Sequence, residues 1–345
     1  MPADHLQGED GSDAPGEVRL PLAAIPEAPQ TDRDSAARAV LQARFVQLVN
    51  ELREQDPLVR ADVHDAVHAM RVTTRRLRSA LSTFRPLLDR EVSEPLREDL
   101  RWLAGVLGEA RDAEVLRSRL TAQLQALGPG EQRAGLAEFV ERDLGDRYRA
   151  AHRRCLDVMR TAPYLDLLER LQELALSPPW SRAATPDDQL VLRKRVRRDW
   201  KRLRRAVHEL DADGDGDEAL TRLHEVRKAA KRVRYGAETL VPAAGTKAER
   251  LAKAVKKVQG VLGDHQDGAV SRAELFDLSV RATADGQNAF ALGVLSARED
   301  DHARAGTAAF LAVWPKASRP KLRRWLAEPG PVVAAERRSP PGTAD

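Results

Sequence analysis

A single cysteine, Cys155, in 345 residues leaves no basis for a disulfide framework or a cysteine-rich zinc module. Aromatic residues make up only 4% of the chain, which leaves few rings for stacking on nucleic-acid bases. No run of about 18 apolar residues occurs, so no membrane span is expected. The opening MPADHLQGED has neither a basic start nor an apolar stretch, so no secretory signal is expected and a cytoplasmic location is. Alternating β-branched runs are absent, which removes the usual mark of strands. So is the G-x-x-x-x-G-K-[ST] loop that cradles nucleotide phosphates, which counts against an ATP-driven kinase of that type.

What is present is helical. Hydrophobic residues reach 42%, enough for a core, and Ala, Leu, Arg and Glu, good helix formers, dominate the middle of the chain. An all-α fold is expected. Residues 1–34 and 329–345 lack periodicity and read as disordered tails. The segment Ser177–Pro186 carries three prolines, which no helix continues through. It divides the rest into 35–176 and 187–328, each with about four main helices. Short connections point to antiparallel four-helix bundles. Further breaks are expected at Gln55–Pro57, Leu127–Gly130, Asp211–Asp217, Val241–Pro242 and Asp285–Gly286.

The net charge of +4 conceals a strong asymmetry. Residues 1–34 carry eight acids and two bases. Residues 191–210 hold nine bases and two acids, and residues 221–234 hold six bases and one acid. Clustering of this kind calls for a polyanionic partner.

The two halves resemble each other. His68-Ala-Met-Arg-Val-Thr-Thr-Arg-Arg-Leu-Arg78 aligns with His224-Glu-Val-Arg-Lys-Ala-Ala-Lys-Arg-Val-Arg234 at an offset of 156. Gly105-Val-Leu-Gly-Glu-Ala-Arg-Asp112 aligns with Gly260-Val-Leu-Gly-Asp-His-Gln-Asp267 at an offset of 155. Two blocks in one order imply an internal repeat, with the halves related by a pseudo-twofold.

At about 100° per residue, Arg71, Arg75 and Arg78 fall on one stripe beside His68. Val63, Val67, Met70, Leu77, Leu81 and Phe84 take the core side. In the second copy His224, Arg227, Lys231 and Arg234 share a stripe, and Lys228 and Arg232 broaden it. Leu223, Val226, Val233 and Leu240 face the core. A solvated face with intrahelical ion pairs is the plain alternative. Acids are nearly missing from both segments, so pairing within the helix is not expected to neutralise them. A third stripe, Lys194, Arg197, Lys201, Arg205 and His208, runs along 190–210, and its first-half counterpart near 35–54 is less basic, with Arg38 and Arg44. Arg101 and Lys256 each stand near a block glycine and extend the basic surface. The second half is expected to bind more strongly.

His68 and His224 head the two stripes. A histidine among arginines resists protonation until an anion arrives, so anion binding is expected to take up protons. His64, Asp65 and His68 could also form a metal site with histidines at i and i+4, but Leu220 and Thr221 stand at the first two positions in the second half. Asp112 and Asp267 are expected to pair with a nearby cation or cap a helix.

The paired H-x-x-R-x-x-x-[RK]-R-[LV]-R helices, each followed by L-G-x-x-x-D, resemble the CHAD family, the conserved histidine α-helical domain. The resemblance covers about residues 35–328. It implies two four-helix bundles related by a pseudo-twofold around a basic central groove. It also implies binding of inorganic polyphosphate without hydrolysis, often at polyphosphate granules, with protein partners there. Members often carry an N-terminal CYTH triphosphatase domain with an E-x-E-x-K strand. Here only Gly16-Glu-Val-Arg-Leu20 precedes the bundles, and 34 residues are too few for that domain, so triphosphatase activity is not expected.

A non-enzymatic polyphosphate binder with no cofactor is thus the leading expectation. Its site residues are His68, Arg71, Arg75, Arg78, Arg101, Lys194, Arg197, Lys201, Arg205, His224, Arg227, Lys228, Lys231, Arg234 and Lys256. Arginine forks suit phosphate oxygens and lysine supplies point charge. Nucleic-acid binding is the second reading. Only Trp200 lies within the strongest basic segments, with Tyr235 directly after the second, and no helix-turn-helix or zinc-finger signature is visible. A metal-dependent phosphohydrolase built on His64, Asp65 and His68 is the third.

Overall fold

The computed structural model describes residues 25–32, 35–127, 131–182, 189–210 and 217–327. Ten α-helices account for most of them. In the first half these are α1 (Ala37–Arg60), α2 (Ala66–Thr83), α3 (Arg90–Gln125), α4 (Glu131–Val158) and α5 (Ala162–Leu176). The second half has α6 (Gln189–His208), α7 (Asp217–Thr239), α8 (Val241–Ala244), α9 (Thr246–Ala284) and α10 (Phe290–Ala317). Among the described residues no strand forms beyond a single bridge, Leu88 to Trp180. The all-α expectation holds.

Local chemistry explains two of the boundaries. Asp89 caps α3, its side chain accepting from the Glu91 amide at 2.9 Å. Gly245, at φ 53°, lets the chain turn from α8 into α9. One expected break does not occur. Pro57 lies inside α1, which continues to Arg60. The true break comes at 61–65, where Asp62 and Asp65 adopt left-handed backbone angles, φ 51° and 61°. Val63 falls in that turn and is exposed rather than part of the α2 core stripe. The remaining members of that stripe, Val67, Met70, Leu77, Leu81 and Phe84, are buried.

Two of the segments read as irregular are partly anchored. Ile25, in the acidic N-terminal stretch, is buried against the core, with Ala28 packed beside it. Residues 1–24, 33–34 and 328–345 lie outside the described residues. In the proline-rich linker, Pro179 accepts from the Asp89 amide at 2.7 Å and the Ser181 amide donates to Leu87 at 3.0 Å.

The repeated helices α2 and α7 pack directly against each other at the centre. Around them, α1 and α3 flank α2, while α6 and α9 flank α7. One large apolar cluster runs through both halves, with Leu48, Met70, Leu77 and Leu103 from the first and Val196, Leu203, Val233 and Val255 from the second. A smaller cluster joins the far ends of α3, α4, α9 and α10, including Leu120, Val140, Leu278 and Leu292. Ion pairs tie this second contact together. Arg281 meets Asp143 at 3.0 Å, Arg147 meets Glu274 at 2.8 Å, and Arg119 bonds the buried Glu299. Both clusters draw on both sides of the linker. The middle of α3 therefore spans from one core to the other, and α2 lays its cations against that span.

Candidate functional site

The two repeated blocks meet in space. From α2, Arg71 reaches across to α3 and donates from Nη1 to Asp112 Oδ1 at 2.8 Å. Its guanidinium rests against Gly108, where an added Cβ would lie 3.4 Å from Nη2. The second copy repeats the contact. Arg227 on α7 rests against Gly263 on α9, where an added Cβ would lie 3.3 Å from Nη2. The glycine of L-G-x-x-x-D is thus a seat for the motif arginine. Asp112 takes the pairing role expected of it, while the side chain of Asp267 lies outside the described residues.

Arg75 stands at the junction of the copies. It feels the positive charge of Arg71 from its own helix and of Arg227 from α7. Burial, reinforced by these neighbours and opposed by Tyr235 and Asp112, holds its pKa below the usual arginine value. Arg78 is similarly lowered, by burial and then by Arg101, Arg75 and Arg97, with Glu98 opposing. Both are half-buried, and both retain their charge at neutral pH. Neither makes a hydrogen bond or ion pair among the described residues. Partly desolvated cations crowded by like charges, with no carboxylate bonded to them among the described residues, suit an anion.

The other motif positions are less exposed to that demand. Arg234, the second-half counterpart of Arg78, donates to Glu238 at 2.7 Å and to Gln259 at 3.1 Å. It also lies 5.4 Å from the Tyr235 ring centroid. Ser82 and Ala104 occupy the corresponding first-half positions, so Arg78 has no such partners. Within the motif stripes, Arg75 and Arg78 of the first half are the pair without a bonded acid. Tertiary neighbours and two short-range pairs, Arg234–Glu238 and Lys228–Glu225, supply the acids in which the segments themselves are poor.

His68 is exposed at the start of the stripe. Its pKa is lowered by partial desolvation of the ring against α3 and then by Arg111. Arg71 acts in the same direction, while Asp65 and Glu114 oppose. Its counterpart His224 and the neighbouring Lys231 are half-buried on α7. Arg101 is exposed on α3 beside Arg78 and meets Glu98 at 3.5 Å. Lys256 is exposed on α9. Sequence reasoning misses Arg97 and Arg111, which add charge at Arg78 and His68. Nothing in the repeat marks them, because their role depends on how α3 lies against α2.

The α6 stripe lies on the solvent side of its helix. Lys194, Arg197, Lys201, Arg205 and His208 are exposed, opposite the buried Leu192, Val196, Leu203 and Val207. Lys228 lies about 100° around α7 from Arg227. It lines a groove with Arg205 between α6 and α7, not the α2–α7 junction. The α1 counterparts are also occupied elsewhere. Arg38 lies over Trp180, and Arg44 faces Glu238.

The metal reading loses its helical geometry, because His64 lies in the turn before α2 and so does not share a helix face with His68. His64, Asp65 and Glu114 do place ligand atoms within 4.8 Å of one another. Arg111 Nη1 already bridges the two carboxylates, at 2.9 and 2.8 Å. Trp200 and Tyr235 are both buried. Trp200 stacks on Trp314 with centroids 5.8 Å apart. Neither offers an open ring face for a base.

Comparisons with known proteins agree with this geometry. The CHAD domain family model matches residues 43–275. The uncharacterized protein Rv2226 of Mycobacterium tuberculosis is 36% identical over 293 residues, covering 84% of this chain and 53% of that protein. The chain thus spans about half the length of the curated relatives it matches. Among solved structures, the CHAD domain from the plant Ricinus communis matches with a TM-score of 0.56 at 25% identity, covering 82% of this chain and 96% of that one. PptA from Streptomyces chartreusis matches in fold with a TM-score of 0.66 at 24% identity, covering 81% of this chain and all of that one.

Proposed function

The chain belongs to the CHAD domain family, and from that premise we propose that it binds inorganic polyphosphate without hydrolysing it. The observation that carries the reading is the pair Arg75 and Arg78, crowded by other cations and without a carboxylate partner. Polyphosphate presents a line of negative charge with no bases to stack or sugar edges to read. A basic surface whose strongest segments have only Trp200 and Tyr235 in or next to them, both buried, suits such a ligand better than it suits single-stranded nucleic acid. Arg75, Arg78 and Arg227 supply the contacts, with Arg71 held in place by Gly108 and Asp112. His68 adds a proton-dependent contact at the end of the stripe. No covalent step is assigned to any of these groups. Association with polyphosphate granules follows as part of the same proposal, with the bound polymer as the link.

A filter-binding competition tests the reading. Long-chain polyphosphate should bind with an affinity that falls steeply with salt, by analogy with counterion release on DNA. RNA or DNA at matched phosphate concentration should not displace it. Displacement by nucleic acid, or release of phosphate from the bound polymer with Mg²⁺ or Mn²⁺, would overturn the proposal.

A further inference from the structure

Between α6 and α7 lies a cavity of about 200 Å³, roughly the liquid volume of seven waters. Its floor includes Ala206 and Ala229, small residues on the facing helices. Its cationic lining is Arg202 and Arg205 from α6 and Lys228 and Arg232 from α7. Two carboxylates, Glu209 and Glu225, also line it. Arg202 is engaged by Asp199 at 3.1 Å and Lys228 by Glu225 at 2.8 Å. Arg205 and Arg232 are exposed and make no ion pair among the described residues. The excess positive charge is felt by Glu225, whose pKa is lowered by Lys228 and then by His224 and Arg232.

We infer that this groove is a second anion-binding site, separate from the α2–α7 junction, that takes a pyrophosphate-sized stretch of condensed phosphate. Position around the helix separates the two. Lys228 lies about 100° around α7 from Arg227, and Arg232 about 100° from Lys231; Lys228 and Arg232 face α6, while Arg227 rests on Gly263 of α9. The site also has no equivalent in the first half. Val72 stands where Lys228 would be. Arg76, the counterpart of Arg232, is taken up by Glu51 at 3.7 Å and Glu238 at 3.6 Å. The exposed cations Arg198, Lys201 and Lys194 continue from Arg205 along the outer face of α6. A long chain seated in the groove would follow them. Two separate sites on one molecule would let a long polymer bind with avidity that a short one lacks.

The choice of condensed phosphate rests on the proposed function, but the existence of the site does not. Titration calorimetry of the full chain with pyrophosphate at low salt separates the two claims. Arg205→Ala combined with Arg232→Ala should remove one equivalent of pyrophosphate that Arg75→Ala combined with Arg78→Ala retains. It should also weaken long-chain polyphosphate several-fold more than it weakens a short chain. Both arginines are exposed, so the fold should survive, checked by circular dichroism. Arg205→Lys with Arg232→Lys should restore much of the binding. An unchanged pyrophosphate stoichiometry in the Arg205/Arg232 alanine variant would overturn the second site. Wild-type polyphosphate affinity in the Arg75/Arg78 variant would instead count against the α2–α7 reading and leave the second site standing.

Discussion

Arg71 seats its guanidinium against Gly108, close enough that a Cβ at the glycine would stand 3.4 Å from Nη2. The same relationship joins Arg227 to Gly263. Each half therefore holds one arginine of the basic stripe in a fixed position by removing a side chain from the neighbouring helix. The contact explains why two blocks far apart in the chain recur together.

Alanine at either glycine is expected to be tolerated. The contact would be tight or ordinary, the neighbour is the flexible end of an arginine, and alanine favours a helix by about 1 kcal/mol. Gly263→Ala should therefore leave the thermal midpoint unchanged or raised. Gly108→Val adds bulk that must push Arg71 aside, at about 1–3 kcal/mol of overpacking, and should lower polyphosphate affinity. Thermal melts read beside binding isotherms check both.

Arg75→Ala with Arg78→Ala should weaken polyphosphate binding well over tenfold, since charge-assisted contacts to phosphate are stronger than neutral ones. Stability should hold or rise, because the change relieves crowded like charges. Arg234→Ala should cost less affinity, since Glu238 and Gln259 already engage that group. It should cost more stability, because it breaks a tie between α7 and α9. Fluorescence titration and chemical denaturation of the three proteins test the contrast.

The His68 environment gives the binding a pH dependence. Burial and Arg111 depress its pKa, with Arg71 adding to them and Asp65 and Glu114 opposing, so the free imidazole is neutral at pH 7. A bound polyanion raises that pKa, and binding takes up a proton. Affinity should be highest below the free-state pKa and decline as pH rises through the bound-state value. His68→Asn should flatten this profile. In the free protein the linkage has the opposite sense for stability: the depressed folded pKa makes the His68 contribution fall away as pH drops below the unfolded value of about 6.5.

Arg119 and Gln123 of α3 both bond Glu299 of α10, whose side chain is fully buried. Removing one partner of a buried ion pair costs about 3–5 kcal/mol. Arg119→Ala should therefore destabilise strongly, and Arg119→Ala with Glu299→Leu should cost much less than the two single changes together. Urea denaturation of the double-mutant cycle measures the difference.

Much is legible in the residues alone. Helical periodicity places Met70, Leu77, Val226 and Val233 in the core, because the stripe they form is set by helix geometry and needs no partner. The repeat identifies Arg71 and Arg227 as equivalent before either has a neighbour. Other features are not legible. A proline at 57 predicts a break, yet the helix runs through it to Arg60, and the turn comes where Asp62 and Asp65 take positive φ. Charge pattern alone groups Arg205 and Lys228 with the motif cations, because a linear sequence records charge but not which helix stands opposite.

An all-α chain, two copies of a basic helix and a stripe of cations on each are fixed by side-chain spacing along single helices, before any packing. Which cations lack counter-charge is settled only when the helices come together. That depends on acids brought from elsewhere in the chain, such as Glu238 at Arg234 and Asp112 at Arg71, and on the burial that removes water from Arg75. Packing also decides which basic residues stand together, because α7 lies against both α2 and α6.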